Sequence, residues 1–139
     1  MAINYAALST ILATSTHETL SENFPEAEKV TQSDWLYFVS IISFRFFMEI
    51  LKQSAMPYAE QEKVFADNVS ELIQEYPDFL VGFDDLNRFI TPETKPGDLG
   101  VWLAANLFKK TSRTLTEGEL TVGVVLGNIV ATQAISMKA

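Results

Sequence analysis

The stretch Thr31 to Ser54, TQSDWLYFVSIISFRFFMEILKQS, constrains this chain more than any other, because it sets aromatic and branched apolar side chains nearly all the way round a helix. At ~100° per residue, Asp34, Arg45, Glu49 and Lys52 fall on one narrow stripe, and Trp35, Val39, Phe44, Phe47 and Leu51 help to cover the rest. A helix this apolar must be covered by neighbours on several sides, so residues 32–54 are expected to form the central helix of the fold. Thr31 and Asp34 have capping-box spacing and fix its start near residue 32. Ser40 and Ser43 leave a shallow notch opposite the charged stripe, where a second backbone could approach. Arg45 stands among phenylalanines with Glu49 one turn on, the spacing of an ion pair with the arginine stem packed on rings.

Around this segment the chain reads as all-α, a single-domain bundle spanning 1–139 with about five to six helices. A hydrophobic fraction of 47% with 20% charged residues excludes generic disorder. Ile3, Tyr5, Leu8, Ile11 and Leu12 recur at threes and fours and predict a short first helix; 15–30, with Pro25, reads as a connection with room for a helical turn or two. His17, the one histidine, lies there beside Glu18 with no nucleophile motif nearby, and is expected to be solvated and idle.

Pro57 and Pro77 bracket the cleanest amphipathic segment. Tyr58, Phe65, Val69, Leu72, Ile73 and Tyr76 share one arc, while Asp67, Glu71, Glu75 and Asp78 belong to the opposite, water-facing arc. Asp78 is placed to cap a further helix with Phe79, Leu80, Phe83, Leu86 and Phe89 on its apolar face. Residues 91–98, TPETKPGD, are the strongest loop signal, after which Asp98 is expected to cap a helix through Phe108. Lys109, Lys110 and Arg113 then suit the negative end of its dipole.

The last segment, 119–137, is expected to be a helix, led by the capping pairs Thr114/Glu117 and Thr116/Glu119. Its rival is a β-hairpin turning at Gly127-Asn128, favoured by the β-branched residues. As a helix it carries Gly123, Gly127 and Ala131 on one face, a surface for the Ser40/Ser43 notch or for a homodimer. Its polar residues Asn128, Gln133 and Ser136 argue against a membrane span.

Charge and chemistry narrow the function. The net charge of −8 is concentrated between Tyr58 and Asp98, where ten acids stand against Lys63, Arg88 and Lys95. Nucleic acid is thereby disfavoured, since a binder of phosphates needs a cationic footprint. With no cysteine there is no disulfide framework or thiol nucleophile, which fits a reducing cytoplasm. No Lys or Arg precedes the apolar N-terminus, so it is read as folded structure, not a secretory signal. No metal or cofactor is expected: the Asp84-Asp85 pair points ~100° apart and makes a poor chelate, and phosphate-loop and dinucleotide spacings are missing.

Three functions follow as expectations. The first is a non-enzymatic interaction module, of the inhibitor, immunity or antitoxin type or a regulatory adaptor, whose acids Asp67, Glu71, Glu75 and Asp78 engage a basic protein partner. The second is a binder of a small apolar or anionic ligand, with Phe38 and Phe44 lining a cavity and Arg45 at its mouth. The third is an enzyme built from scattered carboxylates, for which no catalytic residue can be named.

Overall fold

The computed structural model describes residues 3–136, which form seven helices and no strand. In chain order these are α1 (Tyr5–Asn23), α2 (Pro25–Glu28), α3 (Gln32–Lys52), α4 (Tyr58–Glu75), α5 (Phe79–Phe89), α6 (Pro96–Phe108) and α7 (Glu117–Ser136). The all-α bundle is as its sequence implies, with seven helices among the described residues where about five to six were expected; the single turn of α2 fits the expected connection, and the second half of α1 replaces the rest of it.

α3 is the central element and packs against α1, α4, α5, α6 and α7. It starts where the cap spacing puts it, with Thr31 Oγ1 accepting the Asp34 amide at 3.1 Å. Trp35, Val39, Ile41, Ile42 and Phe44 are essentially without solvent contact. Burying each of the large ones contributes about 1.5–3 kcal/mol. Phe44 also anchors an aromatic cluster, with the rings of Phe65, Phe79 and Phe83 each centred 5.8 Å away. Such pairs add about 0.5–1.5 kcal/mol each beyond area burial.

α1 corrects the sequence reading twice. It runs on to Asn23, through most of the expected connection, and it packs on Ala6, Ser9, Ala13, Thr16 and Leu20. Ile3 and Ile11, read as core positions, are 48% and 62% exposed. Small and hydroxyl residues let α1 lie close to α3, and their polar groups are satisfied locally: Thr16 Oγ1 donates to Leu12 O and accepts from Trp35 Nε1 at 3.1 Å. His17 is half-buried, its ring 5.1 Å from that of Trp35, where a solvated side chain was expected.

α7 is a helix, and the hairpin is excluded. Thr116 and Glu119 complete the reciprocal box, Thr116 Oγ1 accepting the Glu119 amide at 3.1 Å and Glu119 Oε1 accepting the Thr116 amide at 2.9 Å. Those bonds satisfy two amides that a helix start leaves orphaned. Met137, the last residue of the expected segment, lies outside the described residues. By length and composition α7 could cross a membrane; here it packs most extensively on α6.

That α6–α7 contact uses the small-residue face. A Cβ on Gly123 would strike the Gly100 carbonyl oxygen and stand 2.8 Å from Ala104 Cβ. Gly127 lies over Gly100, where an added Cβ would stand 3.7 Å from its Cα. Gly123 and Gly127 are therefore covered by α6 of the same chain, neither facing the Ser40/Ser43 notch nor available to a second copy; Ala131 beside them is half-buried. The notch itself is fully buried, and Ser40 hydrogen-bonds Tyr76 at 3.4 Å.

Two caps also differ in detail. Asp98 is the third residue of α6, its carboxylate accepting the Lys95 amide at 2.9 Å from inside the helix. Asp78 does precede α5, but its side chain makes no cap bond. Its backbone oxygen instead accepts the Tyr37 hydroxyl at 2.6 Å, which ties the start of α5 to α3.

Candidate functional site

The end of α4, the start of α5 and the end of α6 enclose a groove of about 980 Å³ over the first turns of α3. Its floor is Tyr37 and Phe38, two residues that stand edge-on to each other with centroids 4.9 Å apart. Tyr76, Pro77 and Val81 continue the apolar surface on one bank, and Val81 is 67% exposed for want of any cover. A turn forms this bank because Pro77 cannot continue α4 and Tyr76 closes it in extended conformation, its amide bonded to Leu72 O.

Charge on the two banks is unequal once ion pairing is taken into account. Lys109 and Lys110 face the groove from the end of α6, each with an acid: Lys109 Nζ lies 3.4 Å from Asp34, and Lys110 Nζ 2.8 Å from Glu119. The second pair is the tighter, and the Lys110 ammonium, with the Thr116 amide, holds the Glu119 carboxyl below its ordinary pKa. Lys109 has left-handed backbone, φ 54°, a conformation rare for a residue with a side chain; it turns the chain out of α6. On the opposite bank Glu75 and Asp78 have no such partner: neither lies within ion-pairing distance of a cation among the described residues. Burial, together with the nearby Asp78 and Asp85 carboxylates, raises the Tyr37 phenol above its ordinary value, so it stays a neutral donor.

Asp67 and Glu71 extend the same acidic bank along α4. All four sequence-predicted acids, Asp67, Glu71, Glu75 and Asp78, are exposed, and none is paired among the described residues. From Asp67 to Glu75 the stripe is about 12 Å long. Sequence reasoning found the stripe, because it lies within one helix. It missed Tyr37, Val81 and the lysine bank, which three separate helices bring together.

The residues read as a ligand cavity do not converge. Phe38 lines this groove, Phe44 is wholly buried in the aromatic cluster, and Arg45 borders a different pocket. Arg45 does pair with Glu49, at 2.8 Å, and its Nε also donates to Asn87 Oδ1 at 2.8 Å. The pair is superficial, with the Glu49 side chain 46% exposed.

Asp85, half of the adjacent aspartate pair, accepts the indole N–H of Trp102 at 3.2 Å. Among the described residues no three histidine or carboxylate groups gather as a metal site would require. No family model matches this chain, and no curated protein or solved structure shows a significant match to it.

Proposed function

We propose that this protein is a non-enzymatic interaction module that engages a basic protein partner through the acidic bank of α4 and the groove into which it leads. One observation carries the reading: among the described residues Glu75 and Asp78 lie unpaired at the edge of an open aromatic-floored groove, while the lysines across from them are already engaged by Asp34 and Glu119. The uncompensated charge facing an incoming segment is thus negative. A basic segment would exchange water for those carboxylates and lay an apolar side chain on Tyr37, Phe38 and Val81. Charge would steer the encounter and the aromatic floor would hold the complex, the usual division between rim and centre of an interface.

The test is a titration of the labelled protein with a peptide that alternates arginine and leucine, followed by amide NMR. Shifts should cluster at Phe38, Glu71, Glu75 and Asp78, and affinity should fall as salt is raised through the range where the Debye length shrinks from ~10 to ~3 Å. Shifts confined to other surfaces, or an affinity indifferent to salt, refute the assignment.

A further inference from the structure

A second pocket lies at the other end of α4, bordered by Arg45 and Lys52 as well as by Glu62, with Glu49 paired to Arg45. It measures about 650 Å³, inside the about 300–1,000 Å³ typical of small-molecule sites. Met48 and Leu51 of α3, Phe65 of α4 and Phe83 of α5 form its apolar lining. Phe65 is left 37% exposed there although its ring packs on Phe44 and Phe83 inside, and Tyr58 at the border is 74% exposed. This explains why the apolar arc of α4, so regular in sequence, is buried only over its second half, at Val69 and Leu72.

Arg45 and Lys52, about two turns apart on the same face of α3, stand on the border of this pocket. Bonds to Glu49 and Asn87 use two of the five guanidinium N–H donors and fix its position; the other three make no hydrogen bond among the described residues. Lys52 has neither ion pair nor side-chain hydrogen bond among them. Glu62 is the one acid among the pocket's lining residues; its carboxylate stands near the Tyr58 hydroxyl, whose pKa it raises, and opposes the two cations from the α4 side. In a chain of net charge −8, two cations with free donors thus border an apolar hollow.

We propose that this pocket binds a small amphiphile with an aliphatic or aromatic body and a single carboxylate head. The body replaces water over Phe65, Met48 and Phe83, and the head bonds Arg45, with Lys52 adding charge. This assignment is independent of the acidic groove: it uses other residues and, for the head, the free donors of Arg45 and the ammonium of Lys52.

Decanoate, kept below micelle formation, is the direct probe, with decan-1-ol and decylammonium as neutral and cationic controls. In amide NMR, decanoate should shift Met48, Phe65, Ala66 and Phe83, and should bind about tenfold more tightly than decan-1-ol, the margin expected of a hydrogen bond to a charged group. Arg45→Met should cut the ratio of decanoate to decan-1-ol affinity several-fold, and Lys52→Met should cut it less. Ala66→Trp, which fills the pocket from its exposed side without altering charge, should abolish binding of both. The proposal is overturned if decylammonium or decan-1-ol binds as well as decanoate, if the shifts map to another surface, or if decanoate binds the Ala66→Trp variant as it binds the parent.

Discussion

Asn68 Oδ1 accepts the backbone N–H of Ala6 at 2.9 Å, across 62 residues of sequence. A helix start leaves four amides without intrahelical partners. In α1 one of these is met locally, Asn4 Oδ1 taking the Ala7 amide at 2.9 Å, and a second is met by this side chain from α4. Asn68 is itself buried, and its amide nitrogen donates to Val64 O at 2.8 Å, which fixes the orientation of the acceptor. One polar side chain thus docks α4 on the first turn of α1.

Asn68→Ala should therefore destabilise the protein by about 1–3 kcal/mol, the cost of a buried amide left unpaired. Asn68→Asp gives up the bond to Val64 O but keeps the acceptor for Ala6 and sets a negative charge at the positive end of α1, so Ala6 should stay protected in it even where total stability falls. Denaturant unfolding gives both values, and hydrogen exchange at Ala6 should accelerate in the alanine variant alone. Equal exchange at Ala6 in the two variants would mean that the amide is satisfied in some other way.

The α6–α7 crossing separates two glycines that look alike in sequence. A Cβ at Gly123 meets the Gly100 carbonyl and Ala104, so Gly123→Ala forces the helices apart and should cost about 1–3 kcal/mol. At Gly127 the nearest atoms stand 3.7 Å away, an ordinary contact, so Gly127→Ala should stabilise α7 by up to about 1 kcal/mol through helix propensity. Thermal unfolding of the two variants should move in opposite directions.

These cases mark what was legible in the sequence. α3 and its Thr31 cap, the Thr116/Glu119 box and the exposed acids of α4 are local patterns, set by residues within a turn or two of one another. α1 was only half legible, because of its buried positions Ala6, Ser9, Ala13, Thr16 and Leu20 only the last carries a large apolar side chain, while Ile11 points outward. The partners of Asn68 and Gly123, and the meeting of Phe38 with Val81 and Lys109, depend on how helices cross, which no periodicity records.

The Arg45–Glu49 pair is more exposed than a guanidinium among phenylalanines suggests. A buried carboxylate stripped of its partner would cost several kcal/mol, but the Glu49 side chain is 46% exposed and can turn to water. The coupling energy from a double-mutant cycle of Arg45→Met and Glu49→Leu should be about 0.2–1 kcal/mol. A coupling above about 2 kcal/mol would show that the pair is shielded from water.

Glu119 predicts a pH dependence whose sign is fixed. Its folded-state pKa is lowered, first by the Lys110 ammonium and then by the Thr116 amide. Folding therefore favours the carboxylate, and the stabilisation is complete above the ordinary glutamate pKa of ~4.3 and lost as pH falls through the lower folded value. Lys110→Met removes the largest cause. The stability difference between parent and variant should thus be constant near neutrality and shrink below about pH 4; a difference that grows on acidification would reverse the assignment.

Glu71 is where the proposed function and the stability of α4 part company. It stands between Asp67 and Glu75 at i,i+4 on both sides, two like-charge pairs that each cost about 0.2–0.5 kcal/mol. Glu71→Lys turns both into attractive pairs, so it should stabilise the helix by about 1 kcal/mol. The side chain is exposed and unpaired among the described residues, and the buried face of α4, at Asn68, Val69 and Leu72, is untouched. If the acidic bank serves a basic partner, that same substitution should weaken association and flatten its salt dependence, because exposed charges act mainly on the encounter rate. A variant that melts higher and binds the arginine–leucine peptide more slowly would show that α4 keeps its repulsion for the sake of a ligand. One that melts higher and binds unchanged would leave the stripe a solvated face.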